Sequence, residues 1–115
     1  MNAIEQKNAD VVAAFIGDRS NQSLLDRTDQ FFAGQLAEAF VDRHYTVAEL
    51  LTQGEKVIAR IFMSGTHVGP FAGLAPTGKT VQATQFREFR LADGMIAEHR
   101  GWFDTATLLP QIQSQ

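Results

Sequence analysis

Between Val57 and Asp104 the chain contains three strand-like runs separated by glycine turns, and this pattern restricts the possible folds more than any other feature. Val57 to Val68 is rich in β-branched and aromatic residues, which suit a pleated, half-buried surface. Residues 69–79 hold three glycines and two prolines and read as a loop. Thr80 to Leu91 is the next strand. Ala92-Asp93-Gly94 is a hairpin signal, so Met95 to Asp104 returns antiparallel. Tyr45 to Leu51 supplies an earlier strand, closed by Gln53-Gly54-Glu55.

The first 41 residues have the other periodicity. Ile4, Val11, Val12, Phe15 and Ile16 recur at helical spacing, and Gly17-Asp18 ends that helix. Arg19 to Ser23 is polar and turn-like. Leu24, Leu25, Phe31, Phe32, Leu36, Ala39 and Phe40 form a second helical stripe, with a break near Arg27-Thr28. Residues 1–41 are therefore expected to be essentially helical and 43–104 mainly antiparallel strand. Thr105 to Ile112 offers a short C-terminal helix containing Pro110. Helices first and a meander after define an α+β fold, and 115 residues suffice for one domain, 1–115.

Composition narrows the function. A net charge of −3 gives no basic face for nucleic acid. The absence of cysteine removes disulfides, thiolate–zinc sites and thiol nucleophiles. No apolar run approaches membrane-spanning length, and the N-terminus has neither a basic head nor an apolar signal core, so a cytoplasmic location is expected. No histidine pair has zinc-ligand spacing and no acidic calcium loop is present, so no metal is expected. Thr77-Gly78-Lys79 reverses the ending of a phosphate-binding loop. Ser64, His67 and Asp104 could formally compose a nucleophilic set, but no Gly-x-Ser-x-Gly elbow accompanies them.

Side chains alternate along a strand, so residues of equal parity share a face. The even positions on the last two strands are Gln82, Thr84, Phe86, Glu88 and Arg90, then Ile96, Glu98, Arg100, Trp102 and Asp104. If the even faces coincide, Asp104, Trp102, Glu88 and Arg90 line one concave surface. A carboxylate beside an indole is desolvated, which raises its pKa toward general acid/base use, while a nearby arginine opposes the rise. Glu88 and Arg90 read equally as a surface ion pair, and Asp104 before Thr-Ala-Thr-Leu-Leu reads first as a helix N-cap. His67 reads as a turn or packing residue, His99 as structural or interfacial, and His44 as exposed. Apolar residues on both parities, among them Phe89, Leu91, Ala97 and Phe103, suggest a homodimer through the outer sheet face.

Several segments, taken in order, resemble the SnoaL-like polyketide cyclase family of the NTF2-like (ketosteroid isomerase-like) superfamily. They are Ala39-Phe40-Val41-Asp42, Gly65-Thr66-His67-Val68-Gly69, Gly73-Leu74-Ala75-Pro76-Thr77-Gly78-Lys79, Asp93-Gly94-Met95-Ile96, Glu98-His99, and Asp104 followed by Leu108-Leu109-Pro110-Gln111. The resemblance implies a cone-shaped curved sheet wrapped by helices (an α+β barrel) with a mostly apolar pocket in its mouth. It implies intramolecular aldol ring closure without metal or cofactor, with Asp104 as the acid/base. The family's two polar pocket positions fall by spacing at Glu88 and Arg90. Arg100 stands where a tryptophan is usual, with Trp102 two residues further on. A pocket holding Glu, Arg and Asp is more charged than a cyclase pocket and is similar to the acid–arginine–acid sets of limonene epoxide hydrolase-like relatives. The segment before Ala39 is shorter than the family's, so a second subunit would complete the pocket wall.

The expected protein is thus a homodimer binding a small apolar or polyketide-like molecule. As a cyclase, isomerase or hydrolase it would use Asp104 as acid/base, Arg90 to polarise an oxygen and Glu88 to orient Arg90 or a water. Trp102, Phe86, Arg100, Thr84 and Arg60 would contact substrate. The reading from another class is a ligand-binding or assembly module without chemistry.

Overall fold

The computed structural model describes residues 2–29 and 36–113. Helix α1 spans Ala3–Gly17. It starts where Asn2 accepts a hydrogen bond from the Glu5 N–H (2.8 Å) and Glu5 returns one from the Asn2 N–H (3.0 Å), a reciprocal capping box. A 3-10 turn (Arg19–Asn21) and the four-residue α2 (Gln22–Leu25) follow, then α3 (Leu36–Ala39). Four long strands come next: β1 (Phe40–Gln53), β2 (Lys56–His67), β3 (Thr80–Ala92) and β4 (Met95–Phe103). Helix α4 (Thr105–Gln113) closes the described chain. The strands form one antiparallel, unclosed sheet in the order β1-β2-β3-β4, an α+β cone of the NTF2-like kind.

Two expectations need correcting. The second helical stripe breaks where expected, residues 26–29 being non-helical, but β1 begins at Phe40, five residues before Tyr45. The carbonyls of Leu25 and Arg27 accept side-chain hydrogen bonds from β3, and the Asp29 N–H donates to the Gly101 carbonyl on β4 (2.8 Å). These partners lie across the fold and replace the helix ladder. Phe31 and Phe32 lie outside the described residues.

The second correction concerns the sheet face. The odd residues point inward: Val57, Ala59, Ile61 and Met63 on β2, Val81, Ala83, Phe89 and Leu91 on β3, and Phe103 on β4 are all buried. The even faces of β3 and β4 do coincide, with Glu88 opposite Arg100 and Phe86 opposite Trp102, but on the outer side of the sheet. Phe89, Leu91 and Phe103, assigned above to a subunit contact, are core residues.

The buried apolar residues fall into two groups. One, under α1, joins Val12, Ile16 and Leu25 to Val57, Ala59, Ile61, Phe89 and Leu91. The other, under α3 and α4, joins Leu36, Ala39 and Phe40 to Met63, Phe71, Val81, Ala83, Phe103, Leu108 and Ile112. Along β3 the inward sequence is therefore apolar at 81 and 83, polar at Gln85 and Arg87, and apolar again at 89 and 91. A polar row separates the two cores.

The far core depends on a close approach of backbone to backbone. The N–H groups of Val68 and Gly69 donate to the Ala39 carbonyl (2.8 and 3.1 Å), and a Cβ on Gly69 would lie 2.7 Å from the Glu38 carbonyl oxygen. Neither partner is a flexible side-chain tip that could swing away. Gly69→Ala is expected to destabilise the fold by about 1–3 kcal/mol, as other overpacked sites do, measured by urea unfolding.

Candidate functional site

The site is built around Arg87, which is 1% exposed. Its NH1 donates to the Nδ1 of His99 (2.8 Å), and its NH2 donates to the carbonyls of Leu25 (3.2 Å) and Arg27. Its Nε–H has no partner among the described residues. The guanidinium lies flat on β4 because the residue beneath it is Gly101, where a Cβ would sit 2.9 Å from the Arg87 Cζ. Burial, eased by Tyr45, Asp29 and Asp26, lowers the Arg87 pKa to about 10, so the group stays cationic at neutral pH. Gln85 works alongside, donating from Nε2 to the Leu25 carbonyl (2.7 Å).

Segment 25–29 is thereby fixed over the inner face. Asp26 anchors it to β1: its carboxylate accepts from Arg43 through two bonds (2.9 and 2.8 Å) and from the Tyr45 hydroxyl (2.5 Å). Burial and the Asp26 charge push the Tyr45 pKa well above its ordinary value, so the phenol remains a donor. With β3 held through Gln85 and Arg87 and β4 through Asp29, one short segment is pinned to three strands.

Beneath this segment lies a cleft of about 500 Å³, lined by Leu24, Arg27, Thr28, Asp29, Arg87, His99, Arg100 and Gly101. His99 packs against the rings of Phe15 and Phe89, with centroids 5.5 and 5.7 Å away. An arginine can only donate, so the bond from Arg87 makes the His99 Nδ1 the acceptor and leaves the proton on Nε2. Burial, then Arg87 and Arg27, lower the His99 pKa, which keeps the ring neutral. An unfolded His99 protonates near 6.5 and the folded one below that. As pH falls through 6.5 the unfolded chain takes up the proton first, so stability is lost on the acid side. Unfolding free energy should therefore decline from pH 7 to pH 5, and His99→Gln should flatten the decline in a urea series.

The residues expected from sequence are placed elsewhere, apart from Arg100. Glu88 and Arg90 are on the outer face, where Arg90 pairs with Glu98 (2.8 Å) and Lys56 approaches Glu88 (3.9 Å). Arg60 on the same face meets Glu49 (3.6 Å) and the ring of Phe62, and Thr84, Phe86 and Trp102 face outward with it. Arg100 reaches the cleft from the edge strand, pairing with Asp29 (3.4 Å) and lying over Trp102. Asp104 stands past the end of β4 and caps α4, its carboxylate accepting from the Thr107 N–H (3.3 Å) and hydroxyl (2.7 Å). Four strand residues, about 13 Å, separate it from Arg100, the partner of Glu88, so Asp104, Glu88 and Arg90 do not meet. His67 is buried, stacked on Phe40 and bonded to Thr77, which is the packing role expected of it.

A family model described as SnoaL-like polyketide cyclase matches residues 8–112. The chain belongs to that family. Among curated proteins it is 42% identical over 48 residues to the aklanonic acid methyl ester cyclase of Streptomyces galilaeus, covering 42% of this chain and 33% of that one. It is 35% identical over 60 residues to the nogalonic acid methyl ester cyclase of Streptomyces nogalater, covering 52% and 45%. The matched stretches thus span less than half the length of these curated relatives. A SnoaL-like protein of known structure from Jannaschia sp. CCS1 superposes with a TM-score of 0.70 at 21% identity, over 100% of this chain and 97% of that one. The short N-terminal half is therefore compatible with the family's fold.

Within this SnoaL-like chain, Gln85, Arg87 and the inward-facing His99 form a group outside the even face expected to carry the chemistry. The signal was present: a glutamine and an arginine share the parity of Val81, Ala83, Phe89 and Leu91, and a polar pair inside an apolar stripe requires buried partners. No helix among the described residues is long and apolar enough to cross a membrane. Among those residues no group of three or more His, Cys, Asp or Glu side chains is arranged to hold a metal ion.

Proposed function

We propose that this protein is a cofactor-independent cyclase that closes a ring in a small polyketide-like molecule held beneath segment 25–29. The observation that supports this most directly is the Arg87–His99 couple at the cleft. It offers a guanidinium whose Nε–H is unpaired and a neutral imidazole whose Nε2–H remains to donate. Fixed donors in a partly dry site stabilise negative charge that develops on oxygen. In an aldol closure, a base removes a proton from the carbon beside a carbonyl, and the enolate oxygen is met by Arg87 and His99. The enolate carbon then attacks a second carbonyl of the same molecule, and the new alkoxide takes back the proton. Product and substrate are isomers, so no redox partner is needed.

Asp104 is the proposed proton carrier. It is half-buried just past the end of β4, three residues beyond Gly101 of the cleft, so a multi-ring substrate extending along β4 would reach both. The oxygen-polarising role expected of Arg90 passes in this reading to Arg87. The outer face, with Phe86 42% exposed beside Trp102, is the proposed homodimer contact, and sedimentation as a monomer at micromolar concentration would argue against it.

The test is to incubate the purified protein with aklanonic and nogalonic acid methyl esters and follow products by chromatography and mass spectrometry. Ring closure gives a product of unchanged mass and shifted retention. If both esters bind and neither is converted, the protein is a ligand-binding module. The capping bonds of Asp104 are the observation that favours this second reading.

A further inference from the structure

The charges around the cleft do not balance. Three arginines line it, Arg27, Arg87 and Arg100, against one carboxylate, Asp29. Asp29 is taken by Arg100, and the neighbouring Asp26 is taken by Arg43 and Tyr45. His99 is held neutral by the bond it accepts from Arg87. Arg87 and Arg27 are thus left without a carboxylate partner among the described ion pairs. Residues 30–35, which follow Asp29 in the chain, contain no ionisable side chain that could supply one. Arg87 is buried with an unpaired Nε–H, and a buried charge without a directly paired counter-charge is costly, so an added carboxylate nearby would be favourable. Arg27 is exposed at the rim, where a planar guanidinium can take a carboxylate through two parallel bonds.

We infer that the cleft selects a ligand bearing a free carboxylate, with Arg27 as its direct partner at the rim and Arg87 supplying the second positive charge behind it. This inference rests on the cyclase reading of the same cleft and sharpens its substrate class. The curated relatives are named for methyl esters, in which that oxygen pair is neutral. The substrate here is instead a polyketide-like acid, and the reaction class that supplies it is release or hydrolysis of an acyl chain to the acid rather than methylation.

The test uses the full chain and a matched pair of stable planar probes, anthraquinone-2-carboxylate and its methyl ester, with binding read by titration calorimetry. The acid should bind at least about tenfold more tightly, as expected for a charge-assisted contact. That advantage should shrink as ionic strength rises from about 0.05 to about 0.5 M, because the rim contact is screened. Arg27→Gln, a change at an exposed position, should remove most of the difference by weakening the acid. Equal affinity, a preference for the ester, or an acid preference that survives Arg27→Gln would overturn the assignment. Turnover assays on aklanonic acid and its methyl ester separate the two claims. Cyclisation with no acid preference defeats this inference and leaves the cyclase reading. Acid-selective binding with no cyclisation does the reverse.

Discussion

Arg87→Met should destabilise the protein by about 2–4 kcal/mol and abolish any turnover in the cleft. Methionine fills much of the same volume, so the expected loss comes from the orphaned partners rather than from a cavity. The carbonyl of Arg27 loses its side-chain donor, the carbonyl of Leu25 keeps only Gln85, and the His99 Nδ1 loses its donor altogether. Hydrogen bonds to a charged group contribute about 1.5–3 kcal/mol each, and buried acceptors left unpaired cost about 1–3 kcal/mol each. Relief from burying a guanidinium offsets part of that sum, which is why the expected value is well below the total. For a domain of this size the melting temperature should fall by roughly 10–20 °C. Arg87→Lys should fall between, because one ammonium keeps the charge but cannot reach three acceptors in the plane of the guanidinium. Gly101→Ala approaches the same contact from β4 by placing a methyl 2.9 Å from the Arg87 Cζ. If Arg87→Met unfolds in urea like the unmodified protein, the pinning of segment 25–29 does not depend on this residue.

Most of the fold was legible because long strands and tight turns are written locally. Asp93 and Gly94 adopt positive φ (52° and 77°), which is what an Asp-Gly hairpin turn requires, and β3 and β4 follow from it. The parity of the inner face was also legible, though on β2 rather than on the strands examined for chemistry. Val57, Ala59, Ile61 and Met63 are uniformly apolar, and the register carries that face across to odd positions of β3. Choosing the face from β3 and β4 alone failed because their inner rows contain Gln85, Arg87 and His99, the polar residues that make the site. The break near Arg27-Thr28 was legible in the sequence, but what holds segment 25–29 in place was not. The partners that fix its backbone, Gln85 and Arg87 on β3 and Gly101 on β4, lie more than 50 residues away. Local periodicity carries no term for such contacts.

Asp104→Asn should leave the fold almost unchanged while lowering cyclisation on the order of 10²–10⁴-fold. The first half follows from the cap. The asparagine oxygen can still accept from the Thr107 N–H, and its amide can donate to the Thr107 hydroxyl that now donates to the carboxylate, so the stability change should stay within about 1 kcal/mol. The second half follows from chemistry, since an amide takes up no proton at neutral pH and a positioned general base contributes about 10²–10⁴ in rate. Asp104→Ala separates the two roles by removing cap and carboxylate together, at a further cost of about 0.5–2 kcal/mol. Glu88→Gln and Arg90→Gln serve as controls on the outer face, where exposed ion pairs are worth little, and should change stability by less than about 1 kcal/mol. An Asp104→Asn protein as active as the unmodified one on a confirmed substrate would make Asp104 a cap alone. The base would then have to lie in the cleft, where Asp29 is the sole carboxylate among the lining residues, and Asp29→Asn would become the decisive variant.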